Sequence, residues 1–263
     1  MPGNNESAVT AEQFREERNA QSGESRFEPK NPQHIAVILD GNRRFAKKLM
    51  LKPWMGHEWG RKKVEKLVEW CLELGIKEVT MYAFSVDNFN RPKEEFEFVM
   101  KLFREMCKQL KSDQKLQEKG KKLGIKVRFL GRIEMFPDDI RQLMLEIMEK
   151  SADNSGLIVN FCMAYGGRQE IADAAKRMAA DVQSGKLSAA EVNDDTFKKY
   201  LYMPEDPDLI IRTGGEKRLS GFLLYQSSYS ELFFLEKMWP EFEKDDLIKV
   251  IEEFKGRNRR FGR

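Results

Sequence analysis

Residues His34 to Lys48 read HIAVILDGNRRFAKK, and this stretch decides the fold. It opens with an almost unbroken apolar run, His34 to Leu39. Such a run suits a strand buried on both faces, as parallel strands are. The run stops at Asp40-Gly41-Asn42, and Arg43, Arg44, Lys47 and Lys48 follow on a helical start. A strand therefore carries a carboxylate to its C-terminal end, and a helix N-terminus with basic side chains opens beside it. In open α/β sheets that edge is where ligands bind, and free backbone N–H groups at a helix start favour anions. A carboxylate is out of place against a bare phosphate, and it fits if a divalent cation lies between the two. The plain alternative is that Asp-Gly is only a turn.

Working outward, strand and helix patterns alternate. Val64, Leu67, Val68, Cys71 and Leu72 share one face of a helix over His57 to Leu74, closed by Gly75. Strands are expected at Glu78–Phe84, Ile125–Leu130, Leu157–Met163, Asp208–Ile211 and Glu231–Leu235. Helices are expected from Pro92 towards Gly120, from Pro137, over Gln169–Gln183, near Thr196–Tyr202 and over Lys244–Lys255. This order predicts an α/β fold, a single domain with a six-stranded, mainly parallel sheet flanked by helices. Residues 1–33 are polar with few apolar anchors and read as a flexible arm, leaving 34–263 as the folded domain.

Composition narrows the classes. The 263 residues are 41% hydrophobic, with 34% charged residues and a net charge of +3. That mixed balance argues against a dedicated nucleic-acid binder. Cys71, Cys107 and Cys162 lie in apolar periodic segments without metal-ligand spacing, which suits reduced thiols in a cytoplasmic setting. No apolar run reaches the roughly 18 residues of a membrane span, so a lipid substrate must be met at the membrane surface or inside the fold.

The polar residues just past the strand ends are the functional signal. Asp40, Ser85, Asn88, Arg91, Tyr165 and Arg212 all fall there, and parallel strands would bring them to one edge. Arg44, Arg91, Arg212 and Arg218 are forked donors for phosphate oxygens. Gly214 and Gly215 allow close backbone approach to an anion, and Ser220 adds a hydroxyl. Asp40 and Glu231 are candidates to share a divalent cation. With only His34 and His57 available, no nucleophile–base pair of the hydrolase kind is visible, and there is no P-loop. The pattern suits holding phosphorylated substrates and a metal.

The chain closely resembles the cis-prenyltransferases, the family of undecaprenyl and dehydrodolichyl diphosphate synthases. The resemblance rests on HIAVILDGNRRFAKK, on Gly56-His57, on YAFSVDNFNRP from Tyr82, on AYGGR from Ala164 and on DLIIRTGGEKRLSGFLLYQSSYSELFF from Asp208. The C-terminal Arg259-Arg260-Phe261-Gly262 resembles the family's Arg-x-Gly motif. The resemblance implies a homodimer and Mg²⁺-dependent addition of isopentenyl diphosphate to an allylic diphosphate primer, farnesyl or geranylgeranyl diphosphate, with cis geometry. The product would be a long-chain Z-polyprenyl diphosphate for a glycosyl carrier lipid, with peripheral membrane contact for its release.

Roles follow by the same resemblance. Asp40 matches the essential aspartate, which brings Mg²⁺ and assists loss of the allylic diphosphate. Gly41, Asn42, Arg43, Arg44 and Phe45 match the primer-diphosphate segment, and His57 lies near that group. Ser85, Asn88, Phe89 and Arg91 match positions that order the reacting centres, with Asn88 and Asn42 candidates to assist proton removal. Arg212, Arg218 and Ser220 match the isopentenyl diphosphate site. Glu231 matches a metal-binding glutamate given across the dimer, and Arg260 and Gly262 would close the site from the partner subunit. Phe96, Val99, Phe103 and Met106, with the strand Ile125–Leu130, are candidates to line a hydrocarbon channel. Pro53 stands where many members have an arginine on the primer diphosphate, with Lys52 as its substitute. Arg43 and Phe45 lean towards archaeal and eukaryotic members. The competing readings are a non-catalytic accessory subunit of the same fold and a general phosphate or nucleic-acid binder.

Overall fold

β1 (His34–Ile38) is the centre of the sheet, and the strand order β3-β4-β2-β1-β5-β6 places half of the remaining topology on each side of it. The computed structural model describes residues 31–112, 118 and 120–257. The other strands are β2 (Glu78–Ser85), β3 (Lys126–Leu130), β4 (Ile158–Tyr165), β5 (Leu209–Arg212) and β6 (Glu231–Phe234). Every strand pairing is parallel. The helices are α1 (Asn42–Lys48), α2 (Gly56–Glu73), α3 (Lys93–Ser112), α4 (Asp138–Lys150), α5 (Gly167–Gln183), α6 (Asp194–Lys198) and α7 (Lys244–Gly256). The six-stranded α/β expectation is met, with β4 reaching two residues beyond its expected end. Residues 113–117 and 119 of the expected continuation of α3, and most of the expected arm, residues 1–30, fall outside the described residues. Gln33 is already tied to the sheet: its N–H donates to Asp208 Oδ2 at 2.7 Å and its carbonyl accepts from Glu78 N at 2.9 Å.

Strand parity sorts the core into two layers. Ile35, Val37, Val79, Met81, Val159, Phe161, Leu209 and Ile211 pack against α2, α3, α4 and α7 through side chains such as Leu67, Val99, Met144 and Phe254. Ala36, Ile38, Cys162 and Ile210 face the other way, onto Met203, Phe222 and Leu223. Apolar side chains on both faces explain why β1 reads as a continuous run rather than an alternating one. Buried in the second layer, Asn160 Nδ2 donates to Glu78 Oε1 at 2.6 Å and to Thr80 Oγ1 at 2.9 Å.

The chain leaves β1 first for β2 on one side and later returns to β5 on the other. The C-terminal end of β1 is therefore a switch point, where the two diverging connections leave a crevice. Asp40 lies there, and Gly41 makes the turn with φ 106°. A Cβ on Gly41 would meet Met238 Cβ at 2.7 Å, so space and backbone angle both demand glycine.

Leu67 is fully buried between α2 and the sheet. Leu67→Ala should lower unfolding free energy by about 2–5 kcal/mol, read as a shift in the urea midpoint at unchanged slope. A change below about 1 kcal/mol would mean that this layer can collapse around the lost side chain.

Candidate active site

Asp40 is held from three directions. Its Oδ2 accepts from Arg212 Nη2 at 2.8 Å, its Oδ1 accepts from Gly41 N at 2.6 Å, and Arg44 Nη2 lies 3.3 Å from Oδ1. The side chain keeps 30% of its surface exposed, so the carboxylate still faces the cleft. The Asp40 carbonyl is also engaged, accepting from Trp239 N and from Thr213 Oγ1, each at 2.8 Å. Arg212 ends β5 beside Ile38 of β1 and is only 4% exposed. Its Nη1 donates to Ser220 Oγ at 2.8 Å and to the Arg218 carbonyl, while its Nε has no partner among the described residues. A buried guanidinium with an unused donor suits an incoming anion.

A second group of cations surrounds a carboxylate that sequence reading missed. Glu95, in the first turn of α3, is 1% exposed. Arg91 Nη1 lies 3.2 Å from it, and Arg43 Nη2 and His57 Nε2 each lie 3.6 Å away. The signal was available: Glu95 is four residues after Arg91, the spacing of a helical ion pair, and lies beside the apolar Phe96. The His57 ring, with Arg91 and Arg43, holds the Glu95 carboxyl below its ordinary range. Burial lowers the pKa of His57. Arg91 Nη1 is 3.1 Å from His57 Nε2. A guanidinium can only donate, so Nε2 is the acceptor in that contact.

These groups border a cleft of about 390 Å³ lined by Asp40, Asn42, His57, Ser85, Asn88, Arg91, Arg212 and Ser220 at its polar end. Val99, Leu102, Phe103, Met106, Phe161 and Met163 line its apolar part. A shallower pocket adjoins it, bounded by Asp40 to Arg44, Lys47, His57 and Arg91. One continuous site thus joins a cationic mouth to a hydrocarbon-lined interior.

Several expectations are corrected. Phe45 lines neither pocket; one position after Arg44 on α1, it turns its ring onto Trp59, 5.7 Å between centroids. Phe89 is packed among Phe84, Phe96 and Phe136 rather than facing the cleft. Phe96 and β3 do not line the channel, because β4 stands between β3 and β2 and supplies Phe161 and Met163 instead. Gly214 and Gly215 spend their N–H groups on the carbonyls of Lys237 and Leu235, so they shape the turn rather than offer donors to an anion. Asn88 Oδ1 accepts the Ser85 N–H at 3.0 Å, which fixes the loop and leaves one lone pair of the amide oxygen. Arg218 is exposed, with Nη1 2.6 Å from Glu216 Oε2.

Asp40 and Glu231 are not brought together within one chain. Glu231 begins β6, level with Leu209 and hence with Ile35, and its Oε2 accepts from Arg257 Nη1 at 2.8 Å. Asp40 lies five residues past that level, about 16 Å along the strand direction. Arg260 and Gly262 lie outside the described residues.

This is the architecture of a prenyl-diphosphate enzyme, and comparison with known proteins agrees. The sequence model of the family described as "Putative undecaprenyl diphosphate synthase" matches residues 38–262. The chain is 48% identical over 234 residues to the tritrans,polycis-undecaprenyl-diphosphate synthase (geranylgeranyl-diphosphate specific) of Pyrococcus horikoshii, covering 88% of this chain and 87% of that one. It is 43% identical over 238 residues to the isoprenyl transferase of Thermus thermophilus, covering 88% and 89%. Among solved structures, lavandulyl diphosphate synthase from Lavandula x intermedia, in complex with dimethylallyl diphosphate, superposes with TM-score 0.80 at 31% identity, covering 89% and 99%. The chain belongs to the cis-prenyltransferase family, and it is a transferase of polyprenyl diphosphate synthesis.

His34 and His57 are the only histidines, and burial lowers the pKa of both below the ordinary 6.5. The unfolded chain then binds more protons than the folded one below that value, so stability must fall as pH falls through 6.5. Urea unfolding at about pH 7.5 and about pH 5.5 should show a larger loss for wild type than for His57→Gln. An equal loss in the two proteins would mean that His57 is protonated in the fold.

Proposed function

We propose that this protein condenses isopentenyl diphosphate onto an allylic diphosphate, with geranylgeranyl diphosphate favoured over farnesyl diphosphate, and builds a long-chain Z-polyprenyl diphosphate for a glycosyl carrier lipid. The observation that carries the reading is Asp40, clasped by Arg212 and Arg44 at the mouth of an apolar cleft. The primer preference rests on the Pyrococcus relative, whose name gives it as geranylgeranyl-diphosphate specific.

The reaction needs two diphosphates held apart and one hydrocarbon chain kept dry. Arg43, Arg44, His57 and Arg91 border the pocket that suits the primer diphosphate. Arg212 and Ser220, with Arg218 swung in from its exposed position, suit the isopentenyl diphosphate. Val99, Phe103, Met106, Phe161 and Met163 take the growing chain. The allylic C–O bond breaks, and its electron pair leaves with the diphosphate. The double bond of isopentenyl diphosphate attacks the allylic carbon, and a proton is then lost to restore a double bond. Cations and helix-start N–H groups fixed in advance stabilise the charge that develops on the leaving group. Ser85, Asn88 and Asn42 orient the isoprenyl unit at the junction of the two anion pockets.

The residues fit Mg²⁺. No group of three or more His, Cys, Asp or Glu gathers among the described residues, so the protein would offer few ligands of its own. Mg²⁺ keeps waters and binds through one or two carboxylates plus substrate phosphates, and Asp40 is placed to be such a carboxylate. When bound, the ion neutralises diphosphate charge. Glu231 serves, on this reading, the site of a second subunit. In support, Tyr229, in the turn before the edge strand, and Leu232, on that strand, are large exposed side chains, which suits a homodimer interface. No described helix is long and apolar enough to cross a membrane, and we place the protein in the cytoplasm at the membrane surface.

Purified protein with Mg²⁺, labelled isopentenyl diphosphate and geranylgeranyl diphosphate should yield polyprenyl products, while Asp40→Asn should lower turnover at least about a hundredfold. Consumption of label only with an added partner protein would favour the accessory-subunit reading. A larger kcat/KM with farnesyl diphosphate would reverse the primer assignment.

A further inference from the structure

We propose that the link between α1 and α2 docks this protein on an anionic phospholipid surface. The sign is Met50, 95% exposed with φ 57°. Met50 follows the C-cap of α1, where the left-handed region is usually given to glycine. A long apolar side chain there costs backbone strain and lies in full contact with water, and nothing inside the fold is gained by it.

Met50 is not isolated. Leu49, 43% exposed, lies one helical turn after Phe45. The Phe45 ring meets Trp59 edge-on, and Trp59 is itself 48% exposed. These side chains form an apolar ridge fringed by cations. Lys47, Lys48 and Lys52 lie on this segment and Lys62 beside Trp59, while Arg43 and Arg44 pair with Glu95 and Asp40 in the cleft. Lys62 Nζ lies 5.8 Å from the Trp59 ring centroid, and Lys52 Nζ lies 5.2 Å from that of Trp54. Glu58 and Glu241 offset part of this charge through Lys62 and Lys48, but Lys47 and Lys52 stay exposed.

The chemistry selects the occupant. Aliphatic tips enter an acyl layer, aromatic rings settle at the headgroup level, and lysines reach anionic headgroups. A self-association patch would not need a net basic fringe, because like charges on two copies would repel. The ridge ends the same helix that opens at Asp40, so docking would bring the cationic mouth close to the lipid surface. This deepens the proposed function, whose product is a lipid with a diphosphate head, and rests on it for that last point alone.

The test is flotation of the full chain with vesicles of phosphatidylcholine containing about 30 mol % phosphatidylglycerol, and with phosphatidylcholine alone. Wild type should float with the anionic vesicles, less so at high salt, and far less with neutral ones. Leu49→Ser with Met50→Gly should weaken flotation at least about tenfold. Glycine relieves the positive φ, so the thermal midpoint should not fall, and lost binding cannot be blamed on unfolding. Equal flotation of wild type and variant, or no flotation of wild type, overturns the proposal. A dimer in sedimentation that the variant loses, without lipid binding, makes a second copy the occupant and overturns it equally. No prenyl substrate enters the assay, so its failure leaves the proposed reaction standing. Absent turnover in detergent would count against the reaction and not against the ridge.

Discussion

The ion pair between Asp40 and Arg212 is the constraint on which the site is built. It joins the end of β1 to the end of β5 across the switch point of the sheet. A buried guanidinium is several kcal/mol costlier than a solvated one unless it is paired and hydrogen-bonded. Arg212 is therefore tolerable only with Asp40, Ser220 and the Arg218 carbonyl in place, and those contacts hold the 213–220 loop over the cleft. The same carboxylate also collects Arg44 from α1. A single aspartate thus fixes both walls of an anion site while keeping part of its surface open to it.

Glu95 performs the complementary task from inside. It is sealed from water and surrounded by Arg43, Arg91 and His57, three groups that line the outer pocket proposed for the primer. The two guanidiniums repel one another, and the buried carboxylate offsets that repulsion before any substrate arrives. The Arg91 guanidinium donates to the His57 ring, whose pKa burial lowers. The pocket is preorganised for negative charge without being saturated by its own acids.

Much of the fold was legible because it depends on local pattern. A continuous apolar run ending in Asp40-Gly41 specifies a buried parallel strand and its exit, and Asp40, Ser85, Arg91 and Arg212 duly converge. What was not legible depends on packing across the sheet. Phe45 and Phe89 stand among binding residues in sequence but turn into aromatic contacts, because neighbouring positions on a helix or turn point in different directions. The strand Ile125–Leu130, a candidate channel wall in sequence, does not reach the channel because the strand order interposes β4. Glu95 was hidden among the many acids of a highly charged helix, and only its burial separates it from Glu94 and Glu97. Glu231 shows the limit of any single chain: its register with Ile35 puts it at the opposite edge from Asp40.

The central claim is that Asp40 joins diphosphate and a divalent cation at this edge. Calorimetric titration of inorganic diphosphate into wild type and Asp40→Asn, each with and without Mg²⁺, tests it without relying on turnover. Wild type should bind diphosphate at least about tenfold more tightly when Mg²⁺ is present, and Asp40→Asn should lose that enhancement while still binding through its arginines. An undiminished Mg²⁺ effect in Asp40→Asn would contradict the account and move the metal to other ligands.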